Sequence, residues 1–344
     1  MSPAIFMIML SSLATGTIIT MSSHHWLFAW IGLELNTLAM IPAISTLHNP
    51  RSTEAATKYF LTQASASAMI LFSSMTNAWQ TGTWDIINLS STPAHIMLTL
   101  ALAMKLGLAP MHFWLPEVLQ GSTMTIALII STWQKLAPMA LIYMTINNLS
   151  TTILITLGLL STIIGGWGGL NQTQTRKIMA YSSIAHLGWM FSISSIMTNI
   201  MLLNLMIYLI LTTTMFYLLI VTQSKTIQDT MTTWTLSPMM TSTVMILLLS
   251  LGGLPPLTGF IPKWLILNEL ITQNLILLAS IMMMATLLSL FFYLRLTYTT
   301  TLTLPPNATQ TKFKWRLKPN LPQLIMLMSS TSTLLLPMTP MILL

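Results

Sequence analysis

Residues 105–117 read Lys-Leu-Gly-Leu-Ala-Pro-Met-His-Phe-Trp-Leu-Pro-Glu and decide how the chain folds. They overlap the end of an apolar run, residues 95–116, that is long enough to cross a bilayer. Yet the run contains a cation, Lys105, together with a histidine and two prolines. A charge at mid-bilayer costs about 2.5–3.5 kcal/mol on insertion scales, and a proline removes a backbone donor. We therefore predict a broken membrane helix at Gly107 and Pro110, with its freed backbone groups satisfied by protein or water.

The same pattern returns 146 residues later, where residues 253–263 read Gly-Leu-Pro-Pro-Leu-Thr-Gly-Phe-Ile-Pro-Lys. The two stretches align without a gap, and one glycine, one leucine and two prolines are identical. This predicts a second helix break at Gly253, Pro255 and Pro256. A pair of Gly/Pro-interrupted membrane segments in two halves of a chain points to the working site of a transporter. Two ordinary proline kinks are the alternative, which the ion beside each break makes less attractive.

The composition is that of a membrane protein. Of 344 residues, 54% are hydrophobic and only 6% are charged, whereas a soluble domain has about 25% charged residues. The chain has no cysteine, so it offers no thiolates for iron–sulfur clusters, and it has no Gly-x-Gly-x-x-Gly phosphate loop. No histidine pair has metal-ligand spacing. We predict an all-α polytopic membrane protein without a metal or redox cofactor of its own. Its net charge of +7 does not indicate nucleic-acid binding.

Hydrophobicity predicts eleven membrane spans. Their ranges are 3–22, 26–47, 57–79, 95–116, 123–146, 151–171, 177–197, 200–222, 239–271, 274–298 and 322–343. With this count, all loop lysines and arginines fall on the N-terminal side of the membrane, and the opposite loops carry none. The positive-inside rule then makes the N-terminal side the cytoplasm-equivalent face, which in a mitochondrion is the matrix, and puts the C-terminus on the opposite side, the intermembrane space.

The two broken spans are the fourth and the ninth, so they run in opposite directions through the membrane. This predicts an inverted repeat, as in many transporters. The whole chain, 1–344, would form a single domain: repeat one covers about 1–146 and repeat two about 151–298. A basic loop and one helix at about 299–344 complete it, and we expect this loop to contact lipid headgroups or a partner.

Titratable residues inside the spans are the candidates for chemistry. Buried lysines near a carboxylate are able to exchange protons near neutral pH, because desolvation and the nearby charge act in opposite directions. Buried ion pairs that only hold helices together are the alternative, but charges within a membrane are costly and usually functional. The strongest candidates for a proton path are Glu34, Lys105, Lys135, His186 and Lys263, with His112 and Glu269 as weaker ones.

Three stretches carry a resemblance to a known family. Residues 105–118, 165–189 and 252–264 are similar to the antiporter-like membrane subunits of respiratory complex I, which are related to Mrp-type cation/proton antiporters. The resemblance covers essentially the whole chain. It implies a proton path from Glu34 paired with Lys105, through Lys135 and His186, to Lys263. Bacterial relatives have fourteen spans, so eleven would match a shortened animal form.

The resemblance also implies partners. FMN, iron–sulfur clusters and ubiquinone are expected on other subunits of the complex, and none on this chain. A neighbouring antiporter-like subunit, small membrane subunits and bound phospholipids are expected to surround it. Two other functions stay open from the residues alone: a stand-alone cation/proton antiporter, and a scaffold whose buried charges only guide assembly.

Overall fold

The computed structural model describes residues 3–236, 238–302, 329–333 and 337. Within these residues the secondary structure is helical, apart from two isolated β-bridges. The helices are α1 Pro3–Ser22, α2 Trp26–Ile44, α3 Pro50–Thr81, α4 Thr92–Leu106, α5 Trp114–Gly121, α6 Met124–Ser131, α7 Trp133–Thr145, α8 Thr151–Gly169, α9 Thr175–Ser194, α10 Thr198–Thr222, α11 Ile227–Leu236, α12 Pro238–Gly252, α13 Phe260–Thr272 and α14 Ile276–Leu302.

Five of these helices, and the segment Met124–Asn148 that contains α6 and α7, are long and apolar enough to cross a membrane, by length and composition alone and within the described part of the chain. A polytopic membrane protein is therefore confirmed, while the count of eleven spans stays a prediction. The eleventh predicted span, 322–343, and most of the basic loop that precedes it lie outside the described residues.

The connection between the eighth and ninth predicted spans contains a helix, α11, Ile227–Leu236. The helix begins with a capping box. The Asp229 carboxylate accepts hydrogen bonds from the Lys225 and Thr226 amides at 3.0 and 2.8 Å, and the Thr226 hydroxyl accepts from the Asp229 amide at 3.3 Å. The sequence does contain the signal, a threonine followed three residues later by an acid.

The predicted fifth span, 123–146, is two helices, α6 and α7, which meet at Thr132. Both the amide and the hydroxyl of Thr132 donate to the carbonyl of Leu128, at 3.0 and 2.7 Å. Such back-bonding by a threonine side chain bends a helix. The interruption therefore lies one turn before Lys135, while Pro138 is inside α7.

The chain forms two compact units. The first comprises the described parts of Met1–Ser161 and Leu187–Thr198, and the second those of Thr162–His186 and Asn199–Leu344. In the second unit the glycines of α8 pack closely on neighbouring helices: a Cβ added at Gly165 would lie 2.7 Å from the Ala185 nitrogen. One added at Gly168 would lie 2.2 Å from the Tyr181 ring. These glycines therefore allow close packing of α8 on its neighbours.

Candidate functional site

The first helix break lies between α4 and α5. Helix α4 ends at Leu106 because Gly107 adopts the left-handed conformation, with φ 78°. The amides of Gly107 and Leu108 then bond to the Ala103 carbonyl at 3.0 and 2.9 Å. The peptide bond before Pro110 is cis. Across the break, the Trp114 indole donates to the Met104 carbonyl at 3.1 Å.

The second break lies between α12 and α13 and is built in the same way. Gly253 ends α12 with φ 77°, and the Pro255–Pro256 peptide bond is cis. Across this break, the Lys263 ammonium donates to the Gly252 carbonyl at 2.8 Å. In both breaks a side chain of the second half-helix therefore satisfies a carbonyl at the end of the first. Gly252 is the last residue of α12, so its carbonyl has no partner within that helix, while the Met104 carbonyl also accepts a bond from the Gly107 amide at 3.2 Å.

Lys105 and Lys135 line one cavity in the first unit. The cavity has about 20 Å³ of space open to the centre of a water molecule, and its walls come from α2, α3, α4, α5, α6 and α7. Both lysines are buried, with exposed fractions of 6% and 3%. The Lys105 ammonium is shielded from solvent and forms no hydrogen bond with any described residue. Two charge-bearing groups thus share a buried site beside the first break.

Glu34 lies near this cavity but does not line it. It interacts electrostatically with Lys105 and with the buried Tyr59. Even so, the described residues contain no ion pair within 4.0 Å between Glu34 and Lys105. The Glu34 Oε2 atom is shielded and forms no hydrogen bond within the described part of the chain. The pairing that the resemblance implies is therefore a charge interaction across a gap.

His112 follows the first break and is buried, with 3% of its surface exposed. Its Nδ1 atom lies 3.2 Å from the Pro110 carbonyl, and its ring centroid lies 4.2 Å from that of Phe113. These contacts hold the imidazole against the broken segment. They are compatible with a packing role as much as with proton transfer.

The remaining candidates belong to the second unit. His186 on α9 is 8% exposed, and its ring centroid lies 5.7 Å from that of Tyr208 on α10. Lys263 caps α12 as described, and Glu269 is half-buried further along α13. The structure thus brings Lys105 and Lys135 together in one unit and holds His186 and Lys263 within the other.

An exposed ion-pair cluster was not predicted. Lys58 on α3 contacts the carboxylates of Glu54 and Glu117, each at 2.5 Å. The hydrogen bond from Lys58 lowers the pKa of the Glu54 carboxyl from its ordinary value. The cluster joins the start of α3 to α5. The Glu54–Lys58 contact is visible in the sequence as an i,i+4 pair, but the contact with Glu117, 59 residues away, depends on the tertiary fold.

The sequence also matches known families over its length. Residues 23–289 match the family described as NADH:quinone oxidoreductase/Mrp antiporter, TM, and residues 290–343 match the NADH dehydrogenase subunit 2 C-terminus.

Individual proteins are similar to this chain along its whole length. The chain is 58% identical over 345 residues to NADH-ubiquinone oxidoreductase chain 2 of Varanus timorensis, with 99% of each chain covered. It is 55% identical over 341 residues to the protein of the same name from Latimeria chalumnae, with 99% of this chain and 98% of the relative covered.

A solved structure has the same fold. A chain of respiratory complex I from Thermus thermophilus, solved with bound aureothin, matches with a TM-score of 0.82 and 26% identity. The match covers 97% of this chain and 79% of that one. The protein belongs to the NADH:quinone oxidoreductase/Mrp antiporter class of membrane proteins. Within that class it is a member of the NADH dehydrogenase subunit 2 family.

Proposed function

We propose that the chain is a proton-translocating membrane-arm subunit of NADH:ubiquinone oxidoreductase, respiratory complex I, in the mitochondrial inner membrane. The observation that carries this function is the cavity shared by Lys105 and Lys135 beside a helix break, in a chain that matches chain 2 along its length. Electron transfer from NADH to ubiquinone takes place on other subunits and supplies the driving force. Moving one charge against 100 mV takes about 2.3 kcal/mol, so this chain cannot pump alone.

The proton path begins in the first unit and ends in the second. Its order is Glu34, Lys105, Lys135, His186 and Lys263, with His112 and Glu269 as additional candidates. The burial of both cavity lysines and the charge interaction of Glu34 with Lys105 support this order. The hydrogen bond of Lys263 at the second break supports its place at the release end, towards the intermembrane space.

The proposed topology has eleven spans, two inverted repeats and an N-terminus in the matrix. Contacts within each unit support it, because loops assigned to one side contact loops of that side. On the intermembrane side, His25 bridges to Asp85. On the matrix side, Gln174 bridges to Thr226, and Arg295 donates to the Leu170 carbonyl at 2.7 Å.

A labelling experiment tests the topology. The chain has no cysteine of its own, so single cysteines report one position each. Lys225→Cys is expected to react with an impermeant maleimide only from the matrix face, and Asn88→Cys only from the intermembrane face. Reaction of both from one face would contradict the topology.

The proposal also names what surrounds the chain. FMN, iron–sulfur clusters and ubiquinone belong to other subunits, and none of them binds this chain. A second antiporter-like subunit, small membrane subunits and phospholipids pack around it. Several large apolar side chains of α1 face outwards, including Phe6, Met7 and Ile8, each more than half exposed, and this supports a lipid or protein neighbour.

Two measurements test the function. A native gel of gently extracted membranes, stained for NADH oxidation, is expected to show this chain in one very large active band. A small, redox-silent band with cation-dependent proton flux in liposomes would favour a free antiporter instead.

Lysine variants then separate a pump from a scaffold. Lys105→Ala and Lys135→Ala are expected to assemble normally while fewer protons are moved per NADH oxidised. Lys58→Ala is the matched control, because Lys58 lies in the same unit but is exposed and outside the cavity. Loss of assembly in the two cavity variants, with normal pumping by the complexes that remain, would indicate a scaffold.

A further inference from the structure

The loop between α3 and α4 is joined to the start of α2 by an antiparallel bridge, on the face proposed to be the intermembrane side. His25 is paired with Asp85 in this bridge, and backbone hydrogen bonds of 3.0 and 3.1 Å between the flanking residues enclose the pair. In a pair of this kind the Cα atoms lie about 4.5 Å apart and the two side chains are neighbours on one face. The bridge therefore brings a histidine and a carboxylate together at the start of α2.

The His25 side chain caps α2. Its Nδ1 atom accepts a hydrogen bond from the Leu27 amide at 3.2 Å, and its backbone is extended, with φ −112° and ψ 134°, as is usual for a capping residue. An imidazole nitrogen accepts a hydrogen bond only when it carries no proton, so this bond requires a neutral ring. Imidazole groups ordinarily change charge between about pH 5 and 8, whereas serine and asparagine cap a helix without titrating there. The cap of α2 is therefore of a kind that protonation removes.

The same ring also contacts two aromatic side chains. It is stacked on Trp84, with 5.8 Å between the ring centroids and 9° between the planes, and it meets the Phe28 ring edge-on at 6.0 Å. Neither contact depends on the protonation state of the imidazole. The face of a tryptophan ring also attracts a cation. Protonation therefore leaves the stacking of His25 in place while it removes the acceptor that Leu27 needs.

Two titratable groups lie beside His25. Asp85 is opposite it in the bridge, and the Asp85 carboxylate accepts a hydrogen bond from the Asn88 side chain at 3.4 Å. The described residues contain no ion pair within 4.0 Å between Asp85 and His25. His24 precedes His25, is exposed, and contributes its backbone carbonyl to the bridge. Helix α1 and residues 71–81 at the end of α3 contain no titratable side chain, so Asp85 is the negative charge that a protonated His25 would meet.

We propose that His25 is a pH-sensitive cap of α2. The neutral ring binds the Leu27 amide. When Nδ1 takes up a proton from solvent, two N–H donors face each other, so this bond breaks and the new N–H turns to the Asp85 carboxylate. The first turn of α2 then loses its cap, and α2 is the helix that carries Glu34. That this acid-sensitive end lies on the side of proton release rests on the proposed function and topology, whereas the chemistry of the cap does not.

The test measures hydrogen exchange in the first turn of α2, in the intact complex, over the range from about pH 5 to 8. Protection is expressed relative to the intrinsic exchange rate at each pH. We expect it to fall roughly fivefold towards the acid end, the usual worth of one capping bond. His25→Asn keeps a capping side chain and removes the titration, so its protection should stay high throughout. His25→Ala has no cap, so its protection should be low throughout.

Two exposed neighbours provide matched variants. His24→Asn removes the adjacent imidazole and leaves the cap intact, so its protection should fall in acid as in the wild type. Asp85→Asn keeps the size of the side chain and the backbone bridge but removes the carboxylate. Its loss of protection should move to lower pH, because a nearby negative charge stabilises a protonated ring. Should His25→Ala fail to assemble, the comparison of the wild type with His25→Asn decides.

Four outcomes would overturn the inference: protection in the wild type that does not change with pH, an acid-induced loss in His25→Asn as large as in the wild type, a loss that disappears in His24→Asn, or a wild-type profile in Asp85→Asn. The proposed function fails separately. If Lys105→Ala and Lys135→Ala both pump normally, the proton path is refuted, and the exchange data still decide the role of His25. If those variants are defective while the wild-type cap does not respond to pH, only the role of His25 is refuted.

Discussion

The ammonium of Lys263 donates a 2.8 Å hydrogen bond to the carbonyl of Gly252, and so binds α13 to the end of α12 across the second helix break. The end of a helix carries a partial negative charge, which a cation stabilises. The residue proposed to release protons is therefore also the residue that closes the break. A change in its charge would alter the strength of that bond.

Replacing Lys263 separates its charge from its hydrogen bond. Lys263→Met is expected to lose pumping and to destabilise the second unit by about 1–3 kcal/mol, because a bond from a charged donor is lost. Lys263→Gln also loses pumping but keeps a neutral donor, so less stability is lost. Thermal release of the chain from the complex, followed on native gels, measures the difference. Pumping at the wild-type level in either variant would contradict the role of Lys263.

Gly253 is required for two reasons. Its φ of 77° costs a residue with a side chain about 1–2 kcal/mol, and an added Cβ would lie 2.8 Å from the Lys263 side chain. Gly253→Ala is therefore expected to destabilise the complex and to impair pumping. Gly82→Ala is the matched control. Gly82 has φ 74° at the end of α3, with no atom within 4 Å of an added Cβ, so only the backbone cost applies. Equal pumping in the two variants would refute the contact argument.

Trp114 provides the corresponding bond in the first break, from its indole to the Met104 carbonyl. Trp114→Phe keeps an aromatic ring against Tyr59, whose ring centroid is 5.8 Å away, but removes the donor. We expect a loss of about 1 kcal/mol in stability, the usual worth of one hydrogen bond. Trp114 and Tyr59 both line the lysine cavity, so Tyr59→Phe, which leaves this bond intact, is the matched control, and pumping should fall more in Trp114→Phe. Hydrogen exchange at the end of α4 checks whether the bond was lost.

Asp229 makes the start of α11 sensitive to acid. Partial burial opposes ionisation, but hydrogen bonds from the Thr226 and Lys225 amides outweigh it and lower the pKa of the carboxyl from its ordinary value. The cap is therefore complete above the ordinary pKa of about 3.9 and is lost as the pH falls through the lower, folded value. Below about pH 4, the protection of the α11 amides, measured relative to the intrinsic exchange rate at each pH, should fall roughly fivefold, as expected for a cap worth about 1 kcal/mol. Asp229→Asn should show fast exchange at neutral pH and little further change in acid.

The two helix breaks, α11 and the interruption at Thr132 differ in how well the local sequence predicts them. The two breaks are predictable because glycine and proline next to a charge violate the pattern of a spanning helix locally. The start of α11 has a local signal, the Thr226–Asp229 capping box, but hydrophobicity alone leaves this helix between two spans. The interruption at Thr132 is not predictable in the same way, because it depends on a threonine hydroxyl that bonds to the Leu128 carbonyl once the helix has formed.

By itself the sequence determined the class of protein, the positions of both breaks and the set of buried ions, because burying a charge or a proline in an apolar run has a cost that any fold must meet. Only the tertiary structure decided which of those ions share a space. It placed Lys105 and Lys135 on one cavity and left Glu34 beside it without an ion pair to Lys105. The reason is physical: residues far apart along the chain meet only when helices pack, and no local pattern specifies a void of one water molecule.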